Sequence, residues 1–186
     1  MVRGLAFVTA ALITLSAHAA DLVGVSLPDV RMVNGTPLRL NGIGLRTFSI
    51  LGVHIYVAGL YLEQRSENPD AILQSQGAKL IDIRFLRDVS ADDAREAWLD
   101  GFNQNCKAPC FLDPVEVHRF LLAVPPVHRG DSATLLFTEG RLQITFNGHV
   151  LGDITDQHFA TVILTTFIGP VPPTPRLKRE LLGMRD

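Results

Sequence analysis

The chain has 186 residues, of which 47% are hydrophobic and 19% are charged, with 15 Gly and 11 Pro. This composition is that of a globular protein and excludes the disordered, collagen-like and low-complexity classes. The 17 basic and 19 acidic residues nearly balance, so neither nucleic acid nor an anionic membrane surface is expected as a partner.

The first residues have the pattern of a secretory signal peptide. A short basic start precedes an apolar run over residues 5–13, which is too short to span a bilayer. Ala17 and Ala19 then place small residues at the two positions that a signal peptidase reads. We therefore predict a signal peptide over residues 1–19 and a periplasmic or secreted mature domain over residues 20–186. An uncleaved anchor and a buried amphipathic start remain as alternatives.

Two short strands open the predicted mature domain. Apolar residues alternate with others over 23–26, which is the period of a strand, and a second short strand is predicted over 30–33. The dipeptide Asn34-Gly35 follows the second strand. Because both residues adopt a positive φ easily, this dipeptide favours a tight hairpin turn.

Two longer strands come next. Residues 38–50 are rich in apolar side chains but contain Gly42 and Gly44, which predicts a strand that bends or bulges where side chains are missing. Residues 53–62 alternate β-branched and aromatic residues, and both of the resulting faces are mostly apolar. We expect this strand to be central and covered on both sides.

The middle of the chain is mainly helical. A short helix is predicted from Pro69, and a strand follows over residues 80–86. Ser90 is the expected cap of a longer helix that ends near the two cysteines. A further helix is predicted after Pro114, and the proline pair that begins at Pro125 ends it.

The last third predicts a meander followed by helices. Strands are expected over 132–138, 141–146 and 149–154, joined by two glycine-containing turns. Helices are expected over 156–167 and over 176–182. No linker divides the chain, so this order of strands and helices predicts one α+β domain with helices packed on a curved antiparallel sheet.

The two cysteines of the chain, Cys106 and Cys110, lie on a turn that contains Pro109. Thiols oxidise outside the cytoplasm, so we predict a structural disulfide that stabilises the fold by about 2 kcal/mol. The spacing differs from that of a thioredoxin-type pair, and no adjacent His suggests a haem attachment. Two cysteines alone form no zinc site, and the six His residues show no ligand spacing, so neither a metal nor a cofactor is expected.

Arg46 is the residue with the clearest potential for chemistry. It lies in an apolar strand next to glycines that allow a ligand or another chain to approach closely. Its guanidinium requires an anionic or carbonyl partner, and two interpretations stay open. Arg46 either faces solvent or pairs with an Asp or Glu of the domain, or it grips a carboxylate or an enolate-like oxygen at the mouth of an apolar pocket. Tyr56 and Tyr61 can add a hydroxyl to such a pocket, although tyrosines in central strands are more commonly core residues.

Segments spread over nearly the whole predicted mature chain resemble one protein family. Residues 42–46 and 57–63 look like the paired strands of chalcone isomerase and of its bacterial chalcone-isomerase-like relatives. Further segments agree in order and spacing, namely 84–88, 130–131, 146–148, 166–169 and 175–182. The resemblance implies an open-faced β-sandwich in which helices pack on one face of a curved antiparallel sheet.

The resemblance also indicates how far the family's enzymatic site is preserved. Chalcone isomerases close a flavanone ring by adding a phenolate to an enone, and they stabilise charge on the ketone oxygen. The family's cleft arginine matches Arg46, and Asn105 and Thr166 also match its pattern. Tyr56 stands where the enzymes have Thr, and Trp98 stands where they have Tyr. Because two hydroxyl positions that polarise the ketone are changed, efficient flavanone formation is not expected.

Non-catalytic members of the family resemble fatty-acid-binding proteins, in which an arginine meets the carboxylate. The resemblance thus implies an exported, non-catalytic protein that binds a small apolar or aromatic ligand, such as a fatty acid. The expected ligand-binding residues are Arg46, Tyr56, Trp98, Asn105 and Thr166. One alternative is an intramolecular lyase that cyclises a chalcone-like enone, with Arg46, Asn105 and Thr166 as catalytic candidates. Another is a structural or interaction module with a filled cleft, in which Arg46 forms an internal salt bridge.

Overall fold

The computed structural model describes residues 19–49 and 51–184 of the chain. The strands within these residues are β1 (Ala19–Leu22), β2 (Val25–Pro28), β3 (Val30–Val33), β4 (Thr36–Phe48), β5 (Val53–Leu62), β6 (Lys79–Phe85), β7 (Ser132–Thr138), β8 (Arg141–Phe146) and β9 (His149–Ile154). The helices are α1 (Pro69–Gln74), α2 (Ala91–Asn105), α3 (Pro114–Ala123), α4 (Gln157–Ile168) and α5 (Pro175–Leu181). The predicted signal peptide lies outside the described residues, except for Ala19, with which β1 begins.

Strands β3 to β9 form one antiparallel sheet in which neighbours along the chain are also neighbours in the sheet. The sheet curls into a half-barrel, which confirms the α+β fold predicted from the sequence. The strands over 53–62, 132–138, 141–146 and 149–154 have the predicted bounds. Alternating side chains and turn residues are local signals, so they predict the ends of these strands correctly.

Side chains cap the first turns of the helices. The Asn68 side chain accepts backbone N–H groups in the first turn of α1, and the Ser90 hydroxyl does the same for α2. These bonds satisfy donors that a helix start leaves without an intrahelical partner. No helix in the described part of the chain is long and apolar enough to cross a membrane.

The central strand β5 is buried on both sides, as predicted. Ala58 and Leu60 belong to the main hydrophobic core, which also contains residues of α2, α3 and α4. Val57 and Tyr61 alternate with them and pack on the opposite side, against residues of the first strands. We call the face of the sheet toward the helices the inner face and the opposite face the outer face.

A two-stranded hairpin, β1–β2, covers part of the outer face. Leu27 of this hairpin is fully buried there, and Gly59 leaves room for it, because an added Cβ would lie 2.7 Å from Leu27 Cδ1. The predicted single strand over 23–26 is wrong. Val23 and Gly24 instead form the turn of the hairpin, with φ values of 44° and 80°. The alternation of apolar residues runs through this turn and conceals it.

The C-terminal helix α5 packs directly onto β4 where Gly42 and Gly44 carry no side chain. An added Cβ would lie 2.0 Å from the Glu180 carbonyl oxygen at Gly42 and 2.9 Å from Glu180 Cβ at Gly44. The strand also bulges between Leu40 and Gly42, as predicted. The chain segment that approaches these glycines closely is therefore the protein's own last helix.

Candidate functional site

Arg46 lies near the end of β4, opposite Tyr56 of β5. The register of the two strands shifts directly after Arg46, and bulges of this kind re-aim side chains. The half-buried guanidinium donates through Nη1 to the carbonyl oxygens of Thr47 and Pro173, the latter at 3.0 Å. The structure therefore holds the guanidinium with two backbone carbonyls.

The other donors of this guanidinium have no described acceptor. An arginine carries five N–H groups, and Nη1 accounts for two of them. Among residues 19–49 and 51–184, no oxygen accepts a hydrogen bond from Nε or Nη2 of Arg46, and no carboxylate forms an ion pair with it. Within the described residues, Arg46 therefore does not form the internal salt bridge that one interpretation of the sequence expects. The Nε and Nη2 edge of its guanidinium is available for an anion.

Tyr56 is half-buried beside Arg46, with its ring 5.9 Å from the ring of Phe85 in an edge-on arrangement. Burial raises the pKa of Tyr56 to about 12, and the charge of Arg46 opposes this shift only in part. The phenol is therefore protonated at neutral pH and can donate a hydrogen bond. Its hydroxyl has no hydrogen-bond partner in the described part of the chain.

Tyr61 belongs to a different part of the molecule. It is fully buried on the outer face, and its hydroxyl donates to the carbonyl oxygen of Pro28 at 2.9 Å. Tyr61 and Tyr56 are five residues apart on one strand, so they point to opposite faces. Of the two tyrosines considered from the sequence, only Tyr56 lies with Arg46.

Trp98 contributes to an aromatic cluster between the helices. Its ring centroid is 5.7 Å from Phe102, 5.1 Å from Phe120 and 5.9 Å from Phe167. Edge-on and tilted pairs at these distances stabilise a core beyond the area they bury. The half-buried Trp98 indole therefore packs against the hydrophobic core.

Asn105 and Thr166 direct their polar groups to the protein's own backbone. The Asn105 amide donates to the carbonyl oxygens of Gly101 at 3.0 Å and Val171 at 2.9 Å, and its oxygen accepts from the Val171 N–H at 3.3 Å. The buried Thr166 hydroxyl donates to the Ile163 carbonyl oxygen at 2.7 Å. These bonds account for both side chains without a ligand.

Two of the predicted site residues hold the same loop, residues 169–174 between α4 and α5. Arg46 binds it from the sheet through Pro173, and Asn105 binds it from α2 through Val171. The structure therefore connects Arg46 and Asn105 through this loop. The bond to Pro173 therefore gives the Arg46 guanidinium a defined direction.

The disulfide predicted between Cys106 and Cys110 is present, with the two Cα atoms 5.1 Å apart. His158, at the start of α4, lies beside the disulfide, and no local pattern in the sequence indicates this contact. Its Nε2 is 3.3 Å from Cys110 Sγ. The ligand atoms of these three residues lie within 4.8 Å of one another, but the disulfide occupies both sulfurs, so they offer no thiolate to a metal.

A second cluster that the sequence did not reveal lies on the outer face. Asp82 is fully buried in β6, and its carboxylate lies 2.5 Å from Arg31 Nη2 and 2.5 Å from Arg84 Nη1. Burial raises the pKa of Asp82, while the two guanidinium groups oppose that change. Arg31 is 51 residues away along the chain, which is why local patterns do not indicate the pair.

Two concavities in the described part of the chain lie away from Arg46. One is a groove of about 420 Å³ on the outer face, beside Arg31. The other, of about 120 Å³, lies where α1 and α4 meet the β7–β8 turn, beside Lys79. The first has a volume within the roughly 300–1,000 Å³ that is typical of small-molecule sites.

Comparisons with known proteins agree with the architecture. A family model described as chalcone isomerase-like matches residues 19–183. Among solved structures, the crystal structure of a fatty-acid binding protein of Arabidopsis thaliana is similar, with a TM-score of 0.74 and 18% sequence identity. The match covers 89% of this chain and 96% of that chain, and at this identity it shows a shared fold. A comparison with curated proteins found no match.

Proposed function

The chain belongs to the chalcone isomerase-like family, and from this premise we propose that it is a non-catalytic protein that binds a small apolar carboxylate, such as a fatty acid. Arg46 is the anchor for the carboxylate. One observation carries the proposal: a positioned guanidinium whose Nε and Nη2 have no acceptor among the described residues. The similarity in fold to a fatty-acid binding protein supports it.

The chemistry of the anchor is that of a bidentate ion pair. A carboxylate presents two oxygens, and the Nε–Nη2 edge of a guanidinium presents two parallel N–H groups. The carbonyl oxygens of Thr47 and Pro173 accept from Nη1. The N–H groups of Nε and Nη2 are therefore available to the carboxylate of the ligand. The protonated hydroxyl of Tyr56 can donate a further hydrogen bond to the same carboxylate.

Exposed apolar side chains for contact with the apolar part of the ligand lie in the segments that hold Arg46. Phe48, two residues further along β4, is 61% exposed, and Val171 of the 169–174 loop is 39% exposed. Covering such side chains contributes roughly 25 cal/mol for each Å² of apolar surface removed from water. We propose that an acyl chain lies against these side chains.

Ring closure of an enone is less well supported by the same geometry. Such a reaction needs donors aimed at the oxygen on which negative charge develops. Asn105 and Thr166 donate to protein carbonyls instead, which leaves Arg46 and Tyr56. We therefore propose ligand binding, and not catalysis, as the function of the protein.

We also propose that the protein is exported, with cleavage after Ala19 and a periplasmic or secreted mature domain. The basic and apolar start of the sequence supports this. The disulfide between Cys106 and Cys110 is consistent with an oxidising compartment. Determination of the N-terminal residue of the exported protein tests the cleavage site, and a first residue of Met1 would contradict it.

The binding proposal is tested on native protein. Extraction followed by mass spectrometry should reveal co-purified carboxylic acids, and dodecanoate should bind the delipidated protein. We expect Arg46→Gln to weaken this affinity at least tenfold, which is about 1.4 kcal/mol. Arg39→Gln is a matched control, since Arg39 is an exposed arginine of the same strand. Absence of any co-purified acid, together with equal affinities of both variants, would contradict the proposal.

A further inference from the structure

The groove on the outer face lies beside the β1–β2 hairpin, with Pro28 of β2 among its lining residues. Its floor consists of side chains from β6, β7 and β8, and strand β3 forms one wall. Met32, on this wall, is 65% exposed, and Val30 is 43% exposed. The groove is therefore an open, partly apolar concavity on the face opposite the helices.

The register of the three floor strands places like side chains in rows. Leu80 pairs with Leu136, which pairs with Gln143, so two leucines are adjacent on the floor. Thr134 pairs with Thr145 in the neighbouring row, which adds two hydroxyl groups. A ligand with an apolar part and a polar part would match these two rows.

The charge beside the groove is positive and incompletely matched. Arg31 lies in the groove wall, and it shares the single carboxylate of Asp82 with Arg84. Two guanidinium groups on one carboxylate leave one positive charge within this cluster. Asp29 lies near enough to raise the pKa of Tyr61, but within residues 19–49 and 51–184 it forms no ion pair with either arginine.

One donor of this cluster lacks a partner. Arg31 Nε is buried and has no hydrogen-bond acceptor in the described part of the chain, and Asp82 Oδ1, which forms an ion pair with Arg84 Nη1, likewise has no hydrogen-bond donor there. A buried N–H without an acceptor is costly, and in folded proteins such groups nearly always meet a protein group, a water or a ligand. The unmatched charge and the unpartnered N–H occur on the same side chain, at the edge of the groove.

We propose that this groove is a second ligand site, separate from Arg46, which binds a small amphiphile with an anionic head. The head group meets the Arg31 guanidinium, and the apolar part lies on Met32, Leu80 and Leu136. Met32 is well suited to this contact, because an unbranched thioether side chain adapts its shape to different apolar partners. The proposal does not depend on the function assigned to Arg46.

The methionines of the protein provide a direct readout. The chain has 3 Met, and removal of the predicted signal peptide would leave Met32 at the groove and Met184 at the end of the chain. The protein is labelled with ¹³C at the methionine methyl groups and titrated with decanoate or decyl phosphate below the micellar concentration. We expect a saturable shift of the Met32 methyl signal and no comparable shift of Met184. The head group that binds more tightly identifies the source, a free carboxylic acid or a phospholipid-type head group.

Two variants and a neutral probe make the test specific. Arg31→Gln should weaken saturation of the Met32 signal at least tenfold, and Thr145→Phe, which fills the groove and leaves the ion cluster intact, should do the same. Arg46→Gln should leave the Met32 titration unchanged. Decyl glucoside, which has the same tail and no charge, should bind at least tenfold more weakly than either anion.

Three outcomes would overturn the proposal. The first is that the Met32 signal does not shift with either anion. The second is that decyl glucoside saturates it as readily as the anions, which would show only an apolar surface. The third is that a folded Thr145→Phe variant, verified by its urea unfolding curve, binds like the unchanged protein. Because Arg46→Gln is titrated in parallel, failure here is distinguishable from failure of the Arg46 proposal.

Discussion

The close packing of α5 on β4 predicts that Gly42→Ala destabilises the protein strongly. The new Cβ would lie 2.0 Å from the Glu180 carbonyl oxygen, 2.7 Å from that of Leu181 and 2.8 Å from the Gly183 nitrogen. Non-bonded heavy atoms are most stable about 3.5 Å apart, so the helix or the strand must move by more than about 1 Å. Backbone atoms form this contact, so a change of rotamer cannot relieve it.

The magnitude follows from what such a displacement breaks. Overpacking alone costs typically 1–3 kcal/mol. The Asn41 amide donates to the Leu181 carbonyl at 2.9 Å, and the Leu45 N–H donates to the Glu180 carboxylate at 2.9 Å. Each of these hydrogen bonds has a net value of about 1 kcal/mol. We expect a loss of about 3 kcal/mol in the free energy of unfolding.

Urea unfolding followed by tryptophan fluorescence measures this loss. The signal comes from Trp98, which is the only tryptophan of the chain and packs against the core. The urea concentration at the midpoint of unfolding should fall, while the dependence of the free energy of unfolding on urea concentration stays unchanged. Gly152→Ala is the matched control, because Gly152 lies in β9 with nothing within 4 Å of an added Cβ. This control should be neutral or more stable by up to about 1 kcal/mol. Equal midpoints for the two variants would refute the reasoning, since both gain the same methyl group.

Three further predictions concern other parts of the fold. Cys106→Ser should lower the free energy of unfolding by about 2 kcal/mol, because the disulfide to Cys110 closes a loop of five residues, and paired urea curves measure this. Tyr56 and Tyr61 should ionise near pH 12 in an ultraviolet titration of the folded protein, because burial raises the pKa of each to about 12. Since these folded-state values exceed the unfolded value of about 10, the stabilising contribution is complete below pH 10 and is lost as the pH rises toward 12. Asp82→Ala should destabilise the protein by about 3–5 kcal/mol in urea unfolding, because it leaves two guanidinium groups without their buried carboxylate.

Each of these predictions has a result that would contradict it. For Cys106→Ser, the contradicting result is a urea midpoint equal to that of the unaltered protein. The comparison is made under conditions in which a thiol assay of the unaltered protein shows that its disulfide is intact. For the tyrosines, it is a single absorbance step near pH 10 while the far-ultraviolet dichroism remains native. For Asp82→Ala, it is a loss no larger than that of Asp153→Ala, a control carboxylate on the exposed strand β9.

Local signals in the sequence were sufficient for most of the strands and helix starts. Strand β5 has the predicted bounds because its side chains alternate strictly between two covered faces. Local signals do not indicate the β1–β2 hairpin, because the backbone of its turn departs from the usual preference of the residue there. Val23 adopts a positive φ in its turn, which is uncommon for a β-branched residue, so its side chain suggested a strand instead.

The candidate site could be predicted only in part. Arg46 was recognisable as a cation within an apolar strand, but its carbonyl partner Pro173 lies 127 residues further along the chain. The contact between Cys110 and His158 spans 48 residues, and it likewise has no local signature. Such contacts depend on how the helices and the sheet come together, so the topology must be known before they can be stated.

The measurement that tests the anchor at Arg46 most directly compares dodecanoate with dodecanol, which have the same chain and differ in the head group. Their dissociation constants are determined for the unchanged protein and for Arg46→Gln. We expect the unchanged protein to prefer the carboxylate at least tenfold and the variant to lose this preference, because the remaining contacts are apolar. A preference for dodecanoate that survives in Arg46→Gln, or no preference in the unchanged protein, would contradict the role assigned to this guanidinium.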